Sequence, residues 1–68
     1  MVGVRAEVLN AHQRRTLAEL GAELRSIDAF GRAHVRAASG RLHKIDAMGR
    51  VWDYDRDSWH RPEWMFAR

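Results

Sequence analysis

Apolar positions Leu17, Leu20, Leu24, Ile27, Gly31, Val35 and Ala38 recur at spacings of three and four, the period of one face of an α-helix. The positions between them are rich in Ala, Glu and Arg, good helix formers, and Asp28 and Arg32 stand at the favourable i,i+4 spacing. Asn10 or a Thr16–Glu19 capping box opens this helix, and Ser39-Gly40 stops it. Gly21 and Gly31 weaken it, and Ser26-Ile27-Asp28 offers a turn in its middle, but the phase runs through both. The pattern therefore predicts one long amphipathic N-terminal helix over residues 10–39, preceded by an arm over 1–9.

After Gly40 the period changes to two. Leu42, Lys44 and Asp46, then Arg50, Trp52 and Tyr54, flank the turn signal Asp46-Ala47-Met48-Gly49, which predicts a β-hairpin over 41–56. Residues 57–68 gather Trp59, Trp64, Met65 and Phe66 around Pro62, a docked aromatic tail rather than a regular element. The expected architecture is a single α+β mini-domain of helix, hairpin and tail. The stretch Gly40 to Asp55 also resembles one unit of the tyrosine–aspartate repeats of Rhs-type shell proteins, whose units form successive hairpins. That resemblance implies a hairpin and carries no function.

With 68 residues and no cysteine, the chain has room for one small core and no disulfide to staple it. The apolar start Met1-Val2-Gly3-Val4 is broken by Arg5 and Glu7, far short of a signal-peptide core or a membrane span. A soluble chain, cytoplasmic or inside a virion assembled in the cytoplasm, with no membrane partner, is the expectation. Net charge is +3, unevenly spread: residues 1–44 hold seven arginines and Lys44 against four acids, and residues 45–68 hold four arginines against five. Lys44 is the only lysine, an arginine bias typical of a GC-rich genome such as an actinobacterial or actinophage one.

A helical stripe of some six turns is too apolar for so short a chain to cover by itself. It points to a non-catalytic structural or interaction protein that packs into an oligomer or larger assembly, a small phage structural or accessory protein. Leu17, Leu20, Leu24, Ile27 and Val35 would form the apolar seam toward a protein partner, and Trp59, Trp64 and Phe66 the aromatic anchors. Trp52 is expected in a private mini-core.

Opposite the stripe, Arg14, Arg15, Arg25, Arg32 and Arg36 alternate with alanines on a cationic face suited to phosphates or an acidic partner. Asp53, Asp55 and Asp57 begin like a calcium loop, but the bidentate acid expected eleven residues after Asp53 is Trp64, with Glu63 one position short. In a strand the three acids would share one face and pair with arginines. His12, His34, His43 and His60 show no metal-ligand spacing. Ser58, His60 and a nearby acid have the residue types of a hydrolase triad but lie side by side in sequence, with no recognisable oxyanion turn. No catalysis, cofactor, metal or small-molecule substrate is expected.

A second resemblance supplies the alternative. Thr16-Leu17-Ala18-Glu19-Leu20, Ser39-Gly40-Arg41-Leu42, Gly49-Arg50-Val51-Trp52 and Trp59 are similar to landmarks of the small winged-helix excisionase and regulator family. It implies a DNA-binding protein whose recognition helix is Ala29 to Ala38 and whose groove and wing contacts are Arg32, His34, Arg36, Arg41 and Lys44. Arg14 and Arg25 complete the cationic set on this reading. Acids at Asp53, Asp55 and Asp57 on the outgoing wing strand would repel phosphate, which ranks it second.

Overall fold

The computed structural model describes residues 8–66. Helix α1 (Ala11–Leu20) is followed by five strands, β1 (Glu23–Ile27), β2 (Ala33–Arg36), β3 (Leu42–Ile45), β4 (Val51–Asp53) and β5 (Ser58–His60), and a 3-10 turn at Glu63–Met65. The strands pair in chain order, each antiparallel to the next, as one meandering sheet. The N-terminal arm assigned to 1–9 lies almost wholly outside the described residues.

The long helix over 10–39 is thus corrected to ten residues. Of the two expected starts it takes Asn10, whose carboxamide accepts from the Gln13 N–H while the Gln13 side chain accepts from the Asn10 N–H, and Thr16 and Glu19 lie inside the helix rather than capping it. It ends at Gly21, whose left-handed backbone (φ 59°) lets its own N–H reach Ala18 and the Ala22 N–H reach Leu17. Beyond that point the apparent helical period comes from strands. Leu24 and Ile27, three residues apart, lie on one face of β1 because a β-bulge between Leu24 and Ser26 inserts an extra residue. Of the next same-face positions, Ala33 and Val35, Val35 falls near the helical phase by coincidence of turn length.

Three turns share one build. Asp28, Ala37 and Asp46 each accept from the glycine three residues on (Gly31, Gly40, Gly49) and donate to the arginine after it (Arg32, Arg41, Arg50). All three glycines have positive φ, the left-handed position of a type I turn with a glycine bulge. The carboxylates of Asp28 and Asp46 each also take two backbone N–H groups, from Phe30 and Arg32 and from Met48 and Arg50. Residues 41–56 do form two paired strands, but as the third and fourth of five, and the turn at Asp46–Arg50 is one of three spaced nine residues apart.

The core is small. Leu9, Ala33, Val35 and Ile45 are buried, with Leu17, Leu20, Ala22, Leu24 and Ile27 packed against them. On the helix side of the sheet, polar groups complete the packing. Asn10, Gln13 and Thr16, one per turn of α1, donate to the carbonyls of Ala47, Gly31 and Gly49. These three side chains hold the helix against the first and third turns. Gln13 and Thr16 are buried, and no buried side-chain polar atom lacks a partner among the described residues.

The tail expected over 57–68 is corrected in its first part, where Ser58–His60 pairs with β4 as strand β5, and the chain after it is held by the same helix. The Glu19 carboxylate takes the backbone N–H groups of Glu63 and Trp64 at 2.9 and 2.7 Å, and the Trp64 indole donates to Thr16 Oγ1 at 2.7 Å. Its ring stacks on His12 (centroids 5.5 Å apart) beneath the Arg15 guanidinium.

Candidate functional site

Strand alternation sorts the sheet residues into two sets. Leu24, Ile27, Ala33, Val35, His43, Ile45, Val51, Asp53 and His60 share the face under α1 and the tail, by register. Glu23, Ser26, His34, Arg36, Leu42, Lys44, Trp52 and Trp59 share the other, which no element covers among the described residues.

Cations and rings alternate across this open face. Trp52 and Trp59 stand opposite each other on β4 and β5 and meet edge to face, with ring centroids 5.2 Å apart. Lys44 Nζ lies 5.1 Å from the Trp52 ring and 5.7 Å from Tyr54, and the Arg50 guanidinium lies 5.6 Å from Trp59. Beyond Arg50 a shallow groove of about 390 Å³, lined by Phe30, Arg32, Asp46, Met48, Arg50 and Trp59 among others, continues the row, with Arg32 4.8 Å from the Phe30 ring. Phe30, Leu42 and Tyr54 are all more than half exposed.

Two of the acids on or beside this face are occupied, and the third, Glu23, is exposed on β1 opposite Arg36. Asp46 takes two backbone N–H groups and, at 2.6 Å, the Arg50 Nε. Asp28 meets Arg32 at 3.6 Å and His34 Nε2 at 3.1 Å. The Arg32 N–H is the main reason the Asp28 carboxyl sits below its usual pKa; it outweighs partial burial, helped by His34, the Phe30 N–H and the Arg32 charge. Lys44 and Arg36 have no ion-pair partner among the described residues.

The residues proposed as an apolar seam do come together, inside the chain. Leu17 and Leu20 on α1 meet Leu24, Ile27 and Val35 on the sheet, and Val35 is 1% exposed. Of the proposed anchors, Trp59 lies on the open face, Trp64 packs on α1 of its own chain, and Phe66 is 65% exposed at the end of the 3-10 turn. Arg32, Arg36 and Lys44 reach the open face or its rim, Arg25 sits at the β1 bulge and Arg14 on the exposed side of α1. Arg41 turns the other way and binds Asp53 and Asp55. Trp52 belongs to the open face rather than to a mini-core. The segment 29–38 is a turn and strand β2, so the recognition helix of the winged-helix arrangement is absent.

Asp53, Ser58 and His60 meet, but not as a relay. Both Ser58 Oγ (3.2 Å) and Asp53 Oδ2 (3.8 Å) approach the same imidazole nitrogen, Nε2, whereas a base and its orienting acid need opposite nitrogens. Partial burial pushes the Asp53 carboxyl up, but the N–H groups of Asp55 and Arg56 and the charges of Arg41 and His60 bring it below its usual pKa. A cleft of about 260 Å³ beside it is lined by Glu19, His43, Asp53, His60 and Glu63 among others. No group of three His, Asp or Glu among the described residues is placed to hold a metal ion. Asp53 ends β4 while Asp55 and Asp57 lie in the following turn, so the three do not share a strand face; Asp53 pairs with Arg41 and Arg56 and Asp55 with Arg41, and Asp57 pairs with no arginine among the described residues.

Missing from the expected site were Phe30, Arg50 and Tyr54. The signal for Arg50 was its place after a turn glycine, the position that also sets Arg32 and Arg41 at a strand start. No helix among the described residues is long and apolar enough to cross a membrane. No protein family, curated protein or solved structure matches this chain.

Proposed function

We propose that this chain is a non-catalytic interaction module that binds a macromolecular partner through the open face of its sheet. One observation carries this reading: α1 and the tail cover one face, while the other presents Phe30, Leu42, Trp52, Tyr54 and Trp59 interleaved with Arg32, Lys44 and Arg50. Exposed rings such as Phe30 and Tyr54 and a cation without an ion pair such as Lys44 contribute little to a fold of this size. Both are enriched where proteins make contact.

The test is a nuclear magnetic resonance titration of the labelled chain, first raised in concentration alone, then mixed with an oligonucleotide and with an acidic polypeptide. Shifts gathered on Leu42, Lys44, Trp52 and Trp59, and abolished by Lys44→Glu with the native dispersion kept, support the reading. Shifts gathered on α1, or none with any probe, overturn it.

A further inference from the structure

The open face carries a more specific inference, which rests on that face being the working surface: we propose that it binds single-stranded nucleic acid. The argument is one of charge and shape complementarity. A single strand alternates phosphates with unstacked bases, and this surface alternates cations with rings in one row, Arg32, Phe30, Arg50, Trp59, Trp52, Lys44 and Tyr54. Lys44, Trp52 and Trp59 sit on three adjacent strands, so the centre of the row spans about 10 Å, with room for about two or three bases.

Electrostatics favour a polyanion. The acids near the row, Asp28 and Asp46, are already bound to backbone N–H groups and to Arg32, His34 or Arg50. Lys44 remains to meet phosphate, whereas Arg36 stands opposite Glu23 at the β1–β2 edge. The acids that would repel it, Asp53, Asp55 and Asp57, lie at the β4–β5 end, where Arg41 and Arg56 face Asp53 and Arg41 also Asp55. A duplex keeps its bases stacked and would meet the cations alone, and an acidic protein has no use for two half-buried indoles at strand spacing.

The test uses the full chain and fluorescein-labelled oligo(dT) of about 15 nucleotides, with a duplex of equal length and heparin as competitors, read by anisotropy and tryptophan fluorescence. The expected result is binding that quenches the tryptophans, weakens at least about tenfold between 50 and 200 mM salt, and is preferred over duplex. Tyr54→Ser and Lys44→Gln, which touch no core residue, should each weaken it about threefold to tenfold. Duplex or heparin binding as tightly as oligo(dT), with tryptophan emission unchanged, overturns the nucleic-acid inference. So does self-association through the same face, abolished by Leu42→Asp, though that outcome preserves the interaction reading. Absence of every contact at this face overturns both.

Discussion

Thr16, fully buried in α1, donates its hydroxyl to the carbonyl of Gly49, 33 residues further along the chain, and accepts the indole N–H of Trp64 on the same oxygen. One hydroxyl therefore joins the helix, the third turn and the tail. Thr16→Val keeps the shape and removes both bonds, leaving a buried carbonyl and an indole N–H unpaired. The expected loss is about 1–3 kcal/mol, read as a lower denaturation midpoint, with Thr16→Ser recovering part of it.

Two glycines of the same turn type make a controlled comparison. A Cβ at Gly49 would stand 2.7 Å from Trp64 Cζ2 and 2.9 Å from the His12 carbonyl oxygen, whereas at Gly40 it would meet nothing within 4 Å. Both carry positive φ, so both alanine variants bear backbone strain of about 1 kcal/mol. Gly49→Ala adds a clash against backbone and is expected to lower the midpoint of thermal unfolding at least twice as far as Gly40→Ala.

Asp57 occupies the left-handed position of the last turn at φ 52°, where the other turns have glycine. Asp57→Gly relieves that strain and removes one charge from an acidic turn, at the cost of a more flexible unfolded chain. A net gain of about 0.5 kcal/mol in urea denaturation is expected, and a loss would show that the Asp57 side chain contributes something the turn needs.

Asp28 and Asp53 both ionise below their usual carboxyl pKa of 3.8. Because the folded state holds each as a carboxylate more firmly than the unfolded chain does, their contribution is complete above pH 3.8 and disappears as pH falls through the lower folded values. Melting temperature should therefore drop steeply below pH 3.8 in the native chain and less steeply in Asp28→Asn. Equal slopes in the two proteins would count against the turn hydrogen bonds as the source.

Parts of this fold were legible because a short stretch of chain decides them. Asn10 as a cap residue marks the helix start, although the box it forms is with Gln13 and Thr16–Glu19 lies inside the helix; strict alternation around Asp46–Gly49 marks β3 and β4, since both depend on neighbours within a few residues. β1 and β2 were misread because the bulge at Arg25 puts Leu24 and Ile27 on one face at helical spacing. The burial of Gln13 and Thr16 was hidden for another reason: both are polar, and only the distant carbonyls of Gly31 and Gly49 make their burial favourable. The open face was equally out of reach, because Lys44, Trp52 and Trp59 become a row only once three strands are known to be neighbours.

The equal pitch of the turns at Asp28, Ala37 and Asp46 has a genetic corollary. A tandem duplication of one nine-residue step would add a strand and reverse the direction of everything after it, sending the tail to the wrong end of α1. Copying two steps together restores the direction but moves the tail about 10 Å further from Thr16 and Glu19, so the reach of α1 fixes the number of strands.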